Sequence, residues 1–151
     1  MKTLVVYDSV HGNTEKIAQA IGAAIGSDVQ VVRVGNVTVA ELGTFDLVVL
    51  GAPTYGGRPT PAMREFLAKV PASALQGKKT ASFDTRIPAK WVKLFGFAAG
   101  KIAGSLKKAG ATVLGSEGFF VKDTEGPLVD GELERAATVA QQWVNWVKWA
   151  K

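Results

Sequence analysis

One turn near the start of the chain constrains its fold more than any other stretch. Thr3 to Tyr7 is a short apolar run rich in β-branched residues, which predicts a buried strand. Apolar residues then recur at helical spacing, at Ile17, Ala20, Ile21, Ala24 and Ile25. Only Asp8 to Asn13 separates the two patterns. The sequence therefore predicts a tight turn that joins the carboxyl end of a strand to a helix.

This turn, which we call the first loop (residues 8–13), has the chemistry of a phosphate-binding site. A helix leaves the N–H groups of its first turn without internal partners, and its dipole places positive charge there. The backbone N–H groups of Val10 to Glu15 and the side chains of Ser9, Asn13 and Thr14 supply donors, and Gly12 permits close approach. Such a site suits a phosphate. The alternative is an ordinary turn in which Asn13 caps the helix.

Two common kinds of phosphate loop do not match the first loop. An ATP-type loop needs a lysine immediately before the Ser or Thr at the helix start, and here Asn13 stands in that place. A dinucleotide loop needs three spaced glycines, and only Gly12 is present. A hydroxyl-rich turn without lysine suits a terminal phosphate monoester.

Composition excludes several classes of site. The chain has 151 residues, enough for the single domain (1–151) that we expect, with no cysteine and one histidine, His11. Disulfides, thiolate chemistry and multi-histidine metal centres are therefore excluded, and we predict no metal site. No residues pair as base and nucleophile, so we predict no catalytic residues. Because no apolar run reaches the roughly 18 residues of a membrane span and no signal peptide is evident, we expect no membrane span and a cytoplasmic location.

Strand and helix patterns alternate along the rest of the chain. Further strands are predicted at Val29–Val34, Asp46–Leu50, Lys79–Phe83 and Thr112–Leu114, the last with an irregular continuation at Phe119–Val121. Further helices are predicted at Ala62–Lys69, Pro88–Ala109 and Asp130–Ala150. Short connections between alternating elements predict an α/β fold, a parallel sheet with helices on both faces. Ligands of such folds lie beyond the carboxyl ends of the strands.

Two more loops should therefore lie beside the first. The second loop, Gly51–Pro61, places Tyr55 between Thr54 and the flexible pair Gly56-Gly57. The third loop, Asp84–Pro88, has the sequence D-T-R-I-P and offers polar and main-chain groups. A flat ring system that ends in a phosphate monoester would satisfy all three loops. Flavin mononucleotide (FMN) is such a molecule.

Over essentially its whole length the chain resembles the short-form flavodoxins. Y-D-S-V-H-G-N-T-E-K-I-A is similar to their phosphate loop, G-A-P-T-Y-G-G-R-P to their second flavin loop, and F-D-T-R falls where the third belongs. The resemblance implies a three-layer sandwich around a five-stranded parallel sheet of order 2-1-3-4-5, with FMN as cofactor. The cofactor-binding residues that it implies are Ser9, Val10, His11, Gly12, Asn13, Thr14, Pro53, Thr54, Tyr55, Gly56, Gly57, Asp84, Thr85 and Arg86. Within this set, Tyr55 stacks on the isoalloxazine and the Gly56–Gly57 peptide faces flavin N5.

The chain also departs from the flavodoxin pattern. His11 stands where a threonine is usual, and Gly57 and Arg58 replace an acidic residue after the flavin-facing glycine. The third loop lacks the tyrosine that usually covers the second flavin face. Either Trp91 covers that face or it stays open.

Charge departs from the family as well. Residues 78–108, which we call the basic segment, carry eight Lys or Arg (78, 79, 86, 90, 93, 101, 107 and 108) against one acid, Asp84. The whole chain is +5, so the basic segment is +7 and the remainder −2. This charge predicts one strongly basic face near the third loop and its helix, and redox partner proteins with an acidic docking surface. We predict no nucleic-acid partner because no recognised reading motif accompanies the charge, and we expect a monomer or weak dimer.

The resemblance supports one function first and leaves others open. The first is a low-potential carrier of single electrons between redox enzymes, in which the protein binds and tunes the flavin. The alternative is an FMN-dependent NAD(P)H:quinone or protoporphyrinogen-type oxidoreductase on the same fold. A third is a flavin-free interaction domain, which would be colourless when purified.

Overall fold

A five-stranded parallel sheet forms the centre of the protein. The computed structural model describes residues 1–88 and 97–149. The sheet has the order β2-β1-β3-β4-β5, as the resemblance implied. Its strands are β1 (Thr3–Tyr7), β2 (Val29–Arg33), β3 (Leu47–Pro53), β4 (Lys79–Arg86) and β5 (Thr112–Phe120). β1 and β3 lie in the interior, and both are almost wholly buried because helices cover the two faces of the sheet.

In the described part of the chain, four α-helices form the two outer layers, α1 (Asn13–Ile25), α2 (Pro61–Ala68), α3 (Ala98–Lys108) and α4 (Glu132–Trp149). α1 and α4 pack on one face, where Ile17 and Trp143 join the core beside Val5. α2 and α3 pack on the other face, where Met63 and Ile102 do the same beside Leu4. The predicted three-layer sandwich is confirmed. Among the described residues, no helix is both long enough and apolar enough to cross a membrane.

The structure corrects the predicted bounds of β3, β4, β5 and α3. β3 continues to Pro53, so residues 51–53 belong to a strand and not to the second loop. β4 continues to Arg86, so Asp84 and Thr85 belong to a strand, not to an exit loop. These polar residues extend the strand because they pair with β3 on one side and with β5 on the other. β5 is one continuous strand, whereas the sequence predicted two segments joined irregularly, and its register shifts once, opposite Thr80 and Ala81. α3 begins at Ala98 because Phe97 is extended, and residues 89–96, with Trp91, lie outside the described part of the chain.

Arg135 joins α4 to β5 through a network of charged hydrogen bonds. Its guanidinium donates to Glu132 (2.9 and 2.7 Å), to Glu117 (2.7 Å) and to the carbonyl of Gly118. Glu132, only 6% exposed, also accepts the N–H of Phe120 at 2.7 Å. The hydrogen bond from Arg135 lowers the pKa of Glu132, although burial opposes that shift. Glu132 in turn raises the pKa of Arg135.

Glu132→Gln should therefore lower the free energy of unfolding by about 1.5–3 kcal/mol at neutral pH, the usual range for hydrogen bonds to charged groups. Because folding lowers the pKa of Glu132, its contribution is present above the ordinary glutamate pKa and is lost as the pH falls through the folded-state value. Urea unfolding of the two proteins should give free energies that converge on acidification. Glu134→Gln, on the exposed side of the same helical turn, is the control. An equal loss in both variants would contradict this assignment.

Candidate functional site

A small cleft opens where the carboxyl ends of β1, β3 and β4 meet. Its volume is about 50 Å³. Nine of the predicted cofactor-binding residues line it, namely Ser9, Val10, His11, Asn13, Thr14, Pro53, Tyr55, Thr85 and Arg86. Ile87, Val121 and Thr124 complete the lining. The three loops singled out in the sequence therefore converge at one place.

The first loop presents an uncapped helix end to this cleft. Gly12 occupies the N-cap position of α1 with φ of 90°, a left-handed conformation that favours glycine, and no side chain of the residues that the structure describes caps the helix. The first helical hydrogen bond runs from the N–H of Lys16 to the carbonyl of Gly12 (3.1 Å). The N–H groups of Asn13, Thr14 and Glu15 precede that bond and have no partner within the helix. The alternative of a turn capped by Asn13 is wrong, since that position belongs to Gly12.

A partly buried carboxylate fixes the shape of the first loop. Asp8 accepts hydrogen bonds from the N–H of Ser9 (3.0 Å), from Arg33 (3.3 Å) and from the hydroxyl of Thr60. Arg33 also donates to the carbonyl of Ser9 at 3.0 Å. Since Thr60 directly precedes α2, one carboxylate joins the first loop, β2 and the end of the second loop. Sequence reasoning missed this contact because its members lie up to 52 positions apart.

The surroundings of the first loop are not cationic overall. Arg33 reaches Glu15 at 3.8 Å, and its guanidinium lies 5.2 Å from the centre of the Tyr7 ring. The hydroxyl of Tyr7 donates to Glu15 at 2.8 Å. Burial, and then this hydrogen bond, raise the pKa of Tyr7, so the phenol stays protonated. Asp8 and Glu15 thus outnumber Arg33, and an anion at this loop would depend on backbone N–H groups.

The second loop is a tight hairpin. Tyr55 and Arg58 exchange two backbone hydrogen bonds (2.7 and 2.9 Å), and Gly56 and Gly57 between them have φ of 53° and 80°. Two successive positive φ values define a type I′ turn, which glycine adopts without strain. Tyr55 is 40% exposed at the edge of the cleft. The hydroxyl of Thr54 accepts the N–H of Ala98, which fixes the hairpin against α3 (3.0 Å).

The end of β4 divides its side chains between two faces. The hydroxyls of Thr85 and Thr14 share a hydrogen bond of 2.8 Å inside the cleft. The carboxylate of Asp84 instead accepts the N–H of Ala99 (2.9 Å) and two hydrogen bonds from Arg86 (both 2.7 Å). Asp84 is fully buried and does not line the cleft. Asp84 was predicted to bind the cofactor, but its carboxylate is engaged by Arg86 and Ala99 and does not face the cleft.

Arg86 lines the cleft as part of an ion pair. Its guanidinium lies 3.5 Å from the centre of the Phe97 ring and meets Asp84 in the bidentate pair described above. A Cβ atom at Gly118 would come within 2.2 Å of the Arg86 Cζ atom, so the glycine makes room for this side chain. Of the lining residues that the structure describes, Arg86 is the one lysine or arginine, and Asp84 neutralises it.

A fourth loop contributes to the cleft, and sequence reasoning assigned it no role. Residues 121–129 follow β5, and Val121 and Thr124 line the cleft. The side-chain amide of Asn13 donates to the carbonyl of Glu125 (3.2 Å). A Cβ at Gly126 would lie 2.7 Å from the Asn13 Oδ1 atom, so the glycine is needed for this approach. The rule that ligands lie beyond carboxyl strand ends includes the end of β5 and could have identified this loop.

The basic segment does not form one face. Lys78 and Lys79 stand at the start of β4, and Lys107 and Lys108 at the end of α3. Because the N–H of Thr112 bonds to the carbonyl of Lys78 (2.8 Å), these four lysines lie at the end of the sheet remote from the cleft. Lys90 and Lys93 lie outside the described residues. Four of the eight basic residues predicted to lie beside the third loop are therefore at the opposite end of the sheet, and that part of the prediction is wrong.

Comparison with known proteins agrees with the fold and the motifs. A family model described as "Flavodoxin domain" matches residues 4–91. A flavodoxin of Maridesulfovibrio salexigens is 30% identical over 146 residues, covering 92% of each chain. Flavodoxin 1 of Escherichia coli is 30% identical over 129 residues, covering 82% of this chain and 73% of its own. A solved flavodoxin from the domain Archaea superposes with a TM-score of 0.81 at 28% identity, covering 98% of this chain and 99% of its own.

These matches confirm the resemblance that the sequence motifs carried. The family is one of flavoproteins, its cofactor is FMN, and its members transport electrons together with redox partner proteins. The predicted cofactor is thus confirmed at the level of the family. With a family match over more than half its length and relatives that span nearly all of it, this chain belongs to the flavodoxin family.

Proposed function

We propose that this protein holds one FMN at the cleft and carries single electrons at low potential between redox enzymes in the cytoplasm. The observation that carries the proposal is that the uncapped end of α1 lies at the same cleft as the second loop and the Thr14–Thr85 contact. The first loop binds the phosphate and the second loop meets the ring. When bound, FMN supplies the one-electron chemistry, and the protein's residues set its position and surroundings.

The residues at the cleft fit the phosphate end of FMN. A volume of about 50 Å³ has room for roughly three to five water-sized groups, which is the size of a phosphate. Three N–H groups at the start of α1, the hydroxyl of Ser9 and the positive end of the helix dipole provide donors for it. The hydroxyl of Ser9 already accepts the N–H of Gly12 (3.0 Å), which leaves its own proton for the ligand. The flavin ring is too large for the cleft and would lie on the open surface beside Tyr55.

The second loop suits a ring in that position. The backbone of Tyr55 is held by the two hairpin hydrogen bonds to Arg58, so the main chain that carries the ring loses little conformational freedom on binding. The glycine pair tolerates both orientations of its central peptide, because neither residue has a Cβ. This loop can therefore offer either a carbonyl or an N–H group to the flavin edge.

Charge near the second loop favours an acidic redox partner. Arg58 stands beside the glycine pair and is exposed, while Arg86 is neutralised by Asp84. An uncompensated cation beside the flavin edge steers anionic partners toward it and slows cationic ones.

FMN should bind much more tightly than riboflavin, because riboflavin lacks the phosphate that the first loop is built to hold. Loss of the charge-assisted hydrogen bonds to the phosphate, each worth about 1.5–3 kcal/mol, should weaken binding by at least a hundredfold. Quenching of flavin fluorescence on titration with cofactor-free protein measures both affinities. The purified holoprotein should be yellow. Equal affinities for FMN and riboflavin would contradict phosphate binding by the first loop. A protein that binds neither flavin would overturn the proposal.

Arg33→Gln should weaken FMN binding about fivefold, or by about 1 kcal/mol, since it leaves Asp8 and Glu15 uncompensated near the phosphate. Riboflavin affinity should hardly change, because the repulsion acts on the phosphate. The same fluorescence titration measures both ligands. Lys16→Gln removes one charge from the exposed side of α1 and serves as control. A similar loss in the control would attribute the effect to net charge and contradict the role of Arg33.

Small charged oxidants test the sign of the field at the electron-transfer edge. Oxidation of the reduced holoprotein by the anion ferricyanide should slow as salt is added, because the salt screens attraction to Arg58. Oxidation by the cation hexaammineruthenium(III) should become faster over the same range. Stopped-flow absorbance gives both rates. The reverse pair of salt dependences would show that the edge is negative and that an acidic partner is the wrong expectation.

A further inference from the structure

A groove of about 370 Å³ lies between the second loop, α2 and α3, separate from the cleft. Its charged residues are Arg58 in the hairpin, Arg64 in α2 and Lys101 in α3, and Ser105 lies one helical turn beyond Lys101. No acidic residue lines it among those that the structure describes. We call it the cationic groove.

The three cations of the groove lack compensating charges. Arg58, Arg64 and Lys101 are exposed, and in the described part of the chain none of them forms an ion pair. Arg86 in β4 differs from these three cations, because its charge is neutralised by Asp84 in a bidentate pair. Uncompensated cations that face one groove raise its local potential and attract a ligand with negative charge.

The walls of the groove narrow the choice of ligand. Pro59 is buried at its base and Leu67 is half-buried along one side, so part of the surface is apolar. A ligand that fills it must combine negative charge with apolar groups. A protein segment in which Asp or Glu alternates with aliphatic residues has that composition.

We propose that the cationic groove receives an acidic segment of the redox partner protein. The inference rests on the proposed electron-carrier function and specifies where its partner docks. Arg58 belongs to the hairpin whose other end is Tyr55, and Thr54 at the base of that hairpin is hydrogen-bonded to the N–H of Ala98 in α3. A segment seated in the groove therefore contacts the same hairpin that borders the cleft, and brings the partner to the flavin edge.

A nucleotide fits the groove less well. Its described lining contains no aromatic side chain on which a base could stack. The cations stand on long side chains from three separate elements, whereas the uncapped N–H groups that suit a phosphate belong to the first loop. Carboxylates spaced along an extended segment match the separated cations better.

The test uses the full-length holoprotein and a fluorescein-labelled peptide, Glu-Asp-Leu-Glu-Asp-Leu-Glu-Asp, with fluorescence anisotropy at low ionic strength. The double variant Arg64→Glu/Lys101→Glu should bind the peptide at least tenfold more weakly than the unchanged protein. The control Lys107→Glu/Lys108→Glu changes the net charge by the same amount at the remote end of α3 and should retain most of the affinity. A peptide with Gln and Asn in place of Glu and Asp should bind neither form.

Equal losses in the two double variants would overturn the proposal, because the binding would then follow net charge. A labelled oligothymidylate that bound the groove more tightly than the peptide would overturn the choice of a protein segment. FMN fluorescence quenching should be the same in both variants, since neither pair lines the cleft. If the unchanged protein did not bind FMN, the proposed function would be refuted. If it bound FMN but the two double variants bound the peptide equally, only the proposed docking at the groove would be refuted. If the double variant unfolds, Arg64→Glu alone should still weaken peptide binding at least threefold. An unchanged affinity in that single variant would contradict the proposed docking site.

Discussion

The carboxylate of Asp8 is the interaction on which the arrangement of the site depends. It joins the N–H of Ser9 in the first loop, the guanidinium of Arg33 in β2 and the hydroxyl of Thr60 at the start of α2. These three groups come from segments that the sheet brings together but that backbone pairing alone would not align. The first loop keeps its N–H groups directed outward because a side chain of the protein holds its other face. The position of the first loop is thus set by one partly buried carboxylate and its cationic partner.

Most of the fold was predictable because local patterns carry it. Continuous apolar runs indicated the buried strands, helical periodicity indicated α1 and α4, and short connections between them required a parallel sheet. The prediction failed where pairing overrides composition. D-T-R looks like a loop, yet Asp84 to Arg86 form the end of β4, because β3 pairs with it as far as Thr85 and β5 as far as Arg86. The irregular part of β5 was located only approximately, since a register shift depends on the partner strand.

The site was predictable to the extent that its parts are contiguous in sequence. The first and second loops could be identified from their own residues, and the structure brings most of them to one cleft. Contacts between distant segments, such as Asn13 with Glu125 and Asp8 with Thr60, leave no local pattern. The predicted basic face was wrong for the same reason, because it was inferred from residues that are neighbours in sequence. Counting along residues 78–108 grouped lysines from opposite ends of α3, whereas the groove draws Arg58 and Arg64 from outside that segment.

The uncapped start of α1 has a consequence for the life of the protein in the cell. A helix end without a cap leaves donors whose satisfaction depends on water or on a ligand, so a cofactor held there, as we propose, would complete the fold as well as the chemistry. By mass action, a ligand at 100 times its dissociation constant adds about 2.7 kcal/mol to the free energy of unfolding. Chains made while flavin is scarce would therefore unfold more often and be degraded sooner. The abundance of the carrier would follow the supply of its cofactor without any dedicated regulator.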